Sequence, residues 1–250
     1  MFAFFFTVLG AVIGSFAGVV SERLHTGESW VRDRSRCNSC ARELGVGDLV
    51  PVLSWLASFG RCRSCGSNIT ALYVVVEAAL AVVFYVAYSM LGLGLPLFLF
   101  LGAVSALTVI VLYDVRHTVV PPGPSIVFGL LSLGFALSTM VSLASFGLAL
   151  ACAGVVGLCF FLAYFLSSGR VMGLGDAPIA FSLSLLAAGH VIPGILFSFW
   201  IGGIVGIVIL VTRPKGHRMG IEVPFVPFLA AGFLLAFFTS WNPLALVTSY

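Results

Sequence analysis

A long apolar stretch decides the fold: residues 71–114 are ALYVVVEAALAVVFYVAYSMLGLGLPLFLFLGAVSALTVIVLYD. A helix of about 20 apolar residues crosses the roughly 30 Å hydrocarbon core of a bilayer. The stretch contains two such runs, separated by glycines. Strand-like alternation of apolar and polar residues is absent, so helices rather than a β-barrel are expected. The stretch therefore predicts two consecutive transmembrane helices.

The composition extends this prediction to the whole chain. Of its 250 residues, 60% are hydrophobic and only 8% are charged. A soluble domain carries about 25% charged residues, so this chain has too few to cover a water-facing surface. We expect an all-α, multi-pass protein embedded in the lipid bilayer. The net charge of +3 is too small to indicate nucleic acid binding.

Eight candidate spans follow from the apolar runs and the glycine, proline and charged residues that divide them. They lie near residues 2–20, 71–92, 95–113, 124–143, 145–167, 177–190, 191–212 and 224–245. The start of the chain lacks a basic region, which indicates a first span rather than a signal peptide. The predicted organisation is a first helix at 1–20, a polar insert at 21–70 and a seven-helix core at 71–250.

The basic residues support this count and set the orientation. With eight spans, all 12 Lys and Arg fall on one face of the membrane. Cytoplasmic loops carry the excess of Lys and Arg, so this face, with the insert, is predicted to be cytosolic and both termini to lie outside. Small-residue stripes predict close helix packing at Gly10, Gly14 and Gly18, and at Gly202 and Gly206.

Two aspartates are the main catalytic candidates, because ionisable groups at membrane depth are functional candidates by default. Asp114 ends the third span and Asp176 begins the sixth, so eight spans place both at the cytosolic side. Two carboxyl groups that share one site do not both ionise, which supplies a base and an acid for peptide hydrolysis. The alternatives are that Asp114 pairs with Arg116 or His117, and that Asp176 caps its helix.

The glycines before Asp176 favour the catalytic interpretation. Gly173 and Gly175 permit backbone angles that other residues resist and let a second chain approach closely. A protease holds its substrate extended, so we predict that both glycines contact substrate. Glu77, the third acidic residue near the spans, is a functional candidate for the same reason as the two aspartates. The acidic residues of the insert, Asp48 among them, are interpreted as solvated surface charges.

The insert contains two C-x-x-C pairs, CNSC at 37–40 and CRSC at 62–65, separated by 21 residues. This spacing comes within one residue of the usual four-cysteine zinc pattern, formed here by Cys37, Cys40, Cys62 and Cys65. Disulfides rarely persist in the cytosol. A closed structural zinc site is therefore predicted, with two disulfides or a redox role as the alternatives. Two further cysteines at 152 and 159 are expected to be buried packing residues.

With these residues in hand, the chain resembles the prepilin peptidases, a family of intramembrane aspartyl proteases with a G-x-G-D motif. The resemblance covers nearly the whole length. It includes GSF at 14–16, both C-x-x-C pairs, DLVPVLSWLASFGRCRSC at 48–65, GLGD at 173–176 and EVPFVPFLAAG from 222. The chain departs from the family pattern at Pro178, where the family keeps a lysine.

The resemblance implies that Asp114 and Asp176 are the catalytic pair and that the substrates are prepilins or pilin-like secretion proteins. Glu77 also matches a family position and is expected to orient substrate, with pairing to an insert arginine as the alternative. It implies a bacterial cytoplasmic membrane location, with the leader cut on the cytosolic side. Many family members then methylate the new N-terminus with S-adenosylmethionine. Two alternatives from other classes are an ion-coupled transporter that uses the same carboxylates and a non-catalytic assembly subunit.

Overall fold

A computed structural model describes residues 1–29, 34–212 and 223–241. These residues form nine α-helices and no β-strand beyond isolated bridges. The helices are α1 (Phe2–Thr26), α2 (Leu53–Ala57), α3 (Leu72–Leu91), α4 (Leu95–His117), α5 (Pro122–Thr139), α6 (Leu143–Ser167), α7 (Asp176–Leu186), α8 (Val191–Thr212) and α9 (Val226–Thr239). The predicted all-α, multi-pass fold is confirmed.

Each predicted span corresponds to one of these helices. Six of them are long and apolar enough to cross a membrane. The other two, α7 and α9, have 11 and 14 residues and are shorter than the sequence predicted. α1 is longer than predicted and continues past residue 20 to Thr26, where Gly27 ends it in a left-handed conformation. Residues 242–245 of the last predicted span lie outside the described residues.

The first compact unit, Met1–Leu97, contains α1, the polar insert and α3. α1 and α3 pack closely because the predicted glycine stripe faces α3. A Cβ atom at Gly10 would lie 2.5 Å from the Leu80 carbonyl oxygen, and one at Gly14 would lie 2.9 Å from the Glu77 Cα. Small side chains at these positions let the two backbones approach, as predicted.

The second compact unit, Phe98–Tyr250, contains the remaining helices. α7 packs against α5, α6 and α9 and buries nine of its 11 residues. α8 and α9 approach closely at Gly232, where an added Cβ atom would overlap the backbone of Ser198. The second predicted glycine stripe is only partly correct. Gly202 lies against Phe228, but no described atom lies within 4 Å of a Cβ built at Gly206.

The two cysteines of α6 are exposed, so the prediction that they are buried is wrong. α6 buries a single narrow stripe made of Ala153, Val156 and Phe160. Cys152 and Cys159 each precede a member of this stripe by one residue, which turns them about 100° away from it. The uniform apolarity of the helix concealed which of its faces packs inward.

Candidate functional site

Asp114 lies in the last turn of α4 and is only 4% exposed. Its Oδ2 atom accepts a hydrogen bond from the backbone N–H of Val226 at 3.3 Å. Val226 is the first residue of α9, so its N–H has no partner within the helix. The carboxylate therefore joins the end of α4 to the beginning of α9, which are 112 residues apart in the sequence.

Asp176 is the first residue of α7 and is 6% exposed. Its Oδ2 atom accepts a hydrogen bond from the backbone N–H of Gly173 at 3.0 Å. The N-cap position belongs to Gly175, which makes no side-chain capping bond. The alternative interpretation of Asp176 as the helix cap is therefore wrong, because its carboxylate turns back to the loop that precedes α7.

The structure brings the segments that carry the two aspartates together within the second unit, because Val120, six residues after Asp114, lies against Gly175, which directly precedes Asp176. Both side chains are buried, and each accepts a backbone N–H with one oxygen. Such a pair has the composition needed to polarise a water molecule and a carbonyl group.

The role of Val226 was missed in the sequence, although a signal for it exists. A proline at the second position of α9 is typical of a helix start, and it follows Val226 directly in EVPFVPF. A helix that starts there presents an N–H without an internal partner, which attracts a carboxylate. The sequence does not say which carboxylate this is.

The two glycines before Asp176 differ in their surroundings. A Cβ atom at Gly175 would lie 2.5 Å from the Cβ of Val120, in the loop between α4 and α5. A Cβ at Gly173 would lie 3.5 Å from the nearest carboxylate oxygen of Asp176, an ordinary contact distance. Gly175 thus admits Val120 into the space of its missing side chain. Substrate contact by the two glycines stays a prediction.

Glu77 belongs to the first unit and is 7% exposed on α3. Its Oε2 atom accepts a hydrogen bond from the backbone N–H of Val52 at 2.7 Å. Val52 precedes α2 and has a positive φ of 62°, which is strained for a β-branched residue. The carboxylate therefore holds a strained turn of the insert against a membrane helix. Substrate orientation by Glu77 stays a prediction.

The four predicted metal ligands come together in the insert. The Sγ atoms of Cys37, Cys40, Cys62 and Cys65 all lie within 4.8 Å of one another. The Sγ atoms of Cys37 and Cys65 are 3.8 Å apart. Four sulfurs at 2.3 Å around a tetrahedral zinc ion would be about 3.8 Å apart, so the donor set fits Zn²⁺.

The electrostatics of the cluster also fit a cation. Hydrogen bonds from the N–H groups of Cys40 and Ser39 lower the pKa of Cys37 to about 6. The backbone N–H of Arg42 likewise acts to lower the pKa of Cys40. Desolvation and the hydrogen bonds to the other thiols outweigh it and raise the pKa of Cys40 to about 11. The thiols of Cys37 and Cys40 thus ionise in different pH ranges, and a bound divalent cation would favour the thiolate form of both.

The two C-x-x-C loops have the same backbone structure, with an offset of 25 residues. Cys37 N–H bonds to the Arg42 carbonyl, and Cys62 N–H bonds to the Ser67 carbonyl, both at 2.9 Å. The bridge between Arg36 and Glu43 is repeated between Arg61 and Asn68. Two equivalent loops thus contribute two thiols each to one site.

Asp48 joins these loops, so its interpretation as a solvated surface charge is wrong. Its side chain is 15% exposed and pairs with Arg42 from the first loop and Arg63 from the second. Arg42 also donates to the Ser64 hydroxyl at 3.0 Å. A carboxylate between two arginines holds the loops in place around the cysteines. This role is not evident from the sequence, because Arg63 lies 15 residues after Asp48.

Comparisons with known proteins show which family the chain resembles. The profile of the Bacterial Peptidase A24 N-terminal domain matches residues 8–91. The "Prepilin leader peptidase/N-methyltransferase" of Bacillus subtilis is 32% identical over 238 residues, which cover 92% of this chain and 91% of that protein.

Two more relatives carry the same printed name. The Myxococcus xanthus protein is 32% identical over 220 residues, which cover 86% of this chain and 65% of the relative. The Pseudomonas aeruginosa protein is 28% identical over 253 residues, which cover 89% of this chain and 85% of the relative. No solved structure matches this chain.

Proposed function

Because this chain belongs to the prepilin leader peptidase/N-methyltransferase family, we propose that it removes leader peptides from prepilins or pilin-like secretion proteins. Asp114 and Asp176 form the catalytic pair. The single observation that supports this proposal is that two carboxylates are buried at the end of α4 and at the start of α7, on segments that touch through Val120 and Gly175. A transporter or a non-catalytic assembly subunit has no support among the relatives.

In the proposed mechanism, one aspartate is ionised and takes a proton from a water molecule lodged between the two carboxyl groups. The other aspartate is protonated and donates a hydrogen bond to the scissile carbonyl, which stabilises the tetrahedral intermediate. The roles exchange as the amine leaves and is protonated. The N–H groups of Val226 and Gly173 hold one oxygen of each carboxylate, leaving the other oxygen for water or substrate.

A second activity, methylation of the new N-terminus, is supported by the printed names of the relatives. It requires a methyl donor such as S-adenosylmethionine. We propose further that cleavage takes place at the cytosolic face of a bacterial cytoplasmic membrane. The concentration of Lys and Arg in the insert and in the loops after spans three, five and seven supports this orientation.

The test uses the purified full-length protein, a prepilin and mass spectrometry of the product. We expect the parent protein to release the leader, and Asp114→Asn and Asp176→Asn to lower the cleavage rate by at least about 10³-fold, because each removes a proton-transfer group. Added S-adenosylmethionine should increase the product mass by one methyl group.

The control is Glu43→Gln, which neutralises a carboxylate whose side chain is 51% exposed in the insert. This variant should cleave at the parental rate. Substantial cleavage by either aspartate variant would exclude the proposed pair. A stable, membrane-inserted parent that cleaves no prepilin would exclude the proposed function.

A further inference from the structure

The segment around α2 exposes large apolar side chains although it belongs to a polar insert. Leu53 is 64% exposed, Leu56 is 53% exposed and Phe59 is 88% exposed. Leu53 and Leu56 are three residues apart on a helix and so share one face. We call these three residues the α2 apolar patch.

The backbone of Phe59 is unusual as well. Its φ angle is +53°, a conformation that is rare for a bulky residue. The following residue, Gly60, lies against the Trp55 ring, where an added Cβ would be 2.8 Å from the nearest ring carbon. The Trp55 indole donates to the Ile69 carbonyl at 3.1 Å. Trp55 thus fastens α2 to the second cysteine loop, while Phe59 is held outward in a strained conformation.

The hydrogen bond between Val52 and Glu77 gives the depth of this patch. α3 has 20 residues and is about 30 Å long, so it needs its full length to cross a hydrocarbon core of roughly 30 Å. Glu77 lies five residues, or about 7.5 Å, inside the start of α3. Its side chain leans toward the helix N-terminus and accepts the N–H of Val52 at 2.7 Å.

Val52 is therefore at the level of the first turns of α3, beside the boundary of the hydrocarbon core. The apolar side chain of Val75 on α3 is 61% exposed at this same level, as expected where lipid begins. The α2 apolar patch begins at the next residue after Val52. Side chains that are exposed at this depth lie within reach of the acyl chains. This applies to Leu53, Leu56 and Phe59.

We propose that the α2 apolar patch is a membrane-surface contact that inserts Leu53, Leu56 and Phe59 into the lipid interface. The partner is the bilayer itself, at the boundary between headgroups and acyl chains. Arg61 is exposed two residues after Phe59. Apolar side chains beside a basic residue are typical of interfacial segments that meet anionic headgroups. This contact attaches the insert to the membrane at a third place in the chain, in addition to α1 and α3.

The experiment places a fluorescent phenylalanine analogue at position 59 of the full-length protein in vesicles of phosphatidylcholine and phosphatidylglycerol. Nitroxide-labelled lipids, with the label near the carbonyl region, report contact with the interface, and iodide reports contact with water. The matched control carries the same probe at Asn38, which is exposed in the first cysteine loop. Both proteins should unfold at the parental temperature.

We expect labelled lipid to quench the probe at least twofold more at position 59 than at position 38, and iodide to show the reverse order. A second probe at position 56 should follow position 59. Equal quenching by iodide at both positions, without quenching by lipid, would overturn the proposal. The proposal would also be overturned if labelled lipid does not quench the probe at position 59 and an added prepilin protects this probe from iodide. The patch would then bind substrate.

Discussion

Gly175 and Val120 act as a pair at the level of single residues, because the valine occupies the space that a side chain at 175 would need. Asp176 follows directly and begins α7, so displacement of Gly175 displaces the carboxylate. The requirement for glycine in this motif thus has a packing cause that is independent of substrate. The G-x-G-D pattern alone gives no means of separating the two causes.

Gly175→Ala should lower the prepilin cleavage rate by at least about 10-fold, because its Cβ would overlap the Cβ of Val120 and misplace Asp176. Since alanine at 120 keeps the clashing Cβ, the compensating change is Val120→Gly. The double variant should recover most of the lost rate, whereas Val120→Gly alone should have a small effect. Failure of the double variant to recover would point to a direct substrate contact at Gly175.

Ala41 and Gly66 occupy equivalent positions in the two cysteine loops, and both have positive φ angles, 57° and 70°. The left-handed conformation costs a non-glycine residue about 1 kcal/mol and costs glycine little. Ala41→Gly should therefore strengthen zinc retention by roughly fivefold, and Gly66→Ala should weaken it by a similar factor. Zinc loss to a chelator at increasing concentration measures both.

We expect the effects of Ala41→Gly and Gly66→Ala on zinc retention to be equal in size and opposite in direction. The two substitutions are mirror exchanges of the same pair of residues at equivalent positions of the two loops. A change in the same direction for both variants would show that the loops are not equivalent in their response to the metal.

Helices and loops were predicted unequally well from the sequence. All eight apolar segments form helices in their described parts, because an apolar segment in a bilayer must satisfy its backbone hydrogen bonds internally. The cysteine cluster was predicted because paired C-x-x-C spacing nearly determines the geometry. The partners of Asp114, Glu77 and Asp48 were not predicted, since two are backbone N–H groups and the third involves a residue from another loop. Sequence patterns identify chemical groups, and tertiary structure selects their partners.

The close approach of α1 and α3 makes a prediction about whole helices. Gly14→Ala would place a Cβ atom 2.9 Å from the Cα of Glu77, so one helix must move away from the other. We expect a loss of about 1–3 kcal/mol in the free energy of unfolding, as for overpacked cores. Unfolding in mixed detergent micelles at increasing denaturant measures it.

The matched control is Gly154→Ala in α6, where no described atom lies within 4 Å of the added Cβ. Alanine is the better helix former, so this variant should be as stable as the parent or slightly more stable. Equal losses for both variants would show that glycine flexibility, rather than close packing, determines the stability of α1.

For the whole molecule, the number of membrane crossings depends on α7 and α9. At about 17 Å and 21 Å they are shorter than the roughly 30 Å core. α7 buries nine of its 11 residues, so protein rather than lipid surrounds most of this short helix. Irregular backbone at membrane depth is tolerated under that condition. The short helices are therefore compatible with eight crossings.

The segment 213–222 distinguishes eight crossings from six. If α7 and α9 do not cross the membrane, this segment lies outside the cell. Arg213, Lys215 and Arg218 would then lie on the external side, against the rule that Lys and Arg concentrate in cytoplasmic loops. With eight crossings it lies in the cytosol, together with the cysteine insert and the ends of α4 and α6. We expect the cytosolic position, because three basic residues in a short loop hold that loop inside.

A site for a specific protease, inserted into this segment, tests the prediction in cells that express the protease in the cytosol. Sites after Glu28 and after Leu93 are the controls, because both topologies place the first inside and the second outside. Cleavage at 213–222 together with the first control supports eight crossings and puts Asp114 and Asp176 on one side of the membrane. If the site at 213–222 resists the cytosolic protease, as the site after Leu93 does, the protein has six crossings. α7 would then enter the membrane from the cytosolic side and return to it, so Asp176 would stay near the cytosolic face. α8 would run in the opposite direction to the one predicted, and α9 would not cross the membrane.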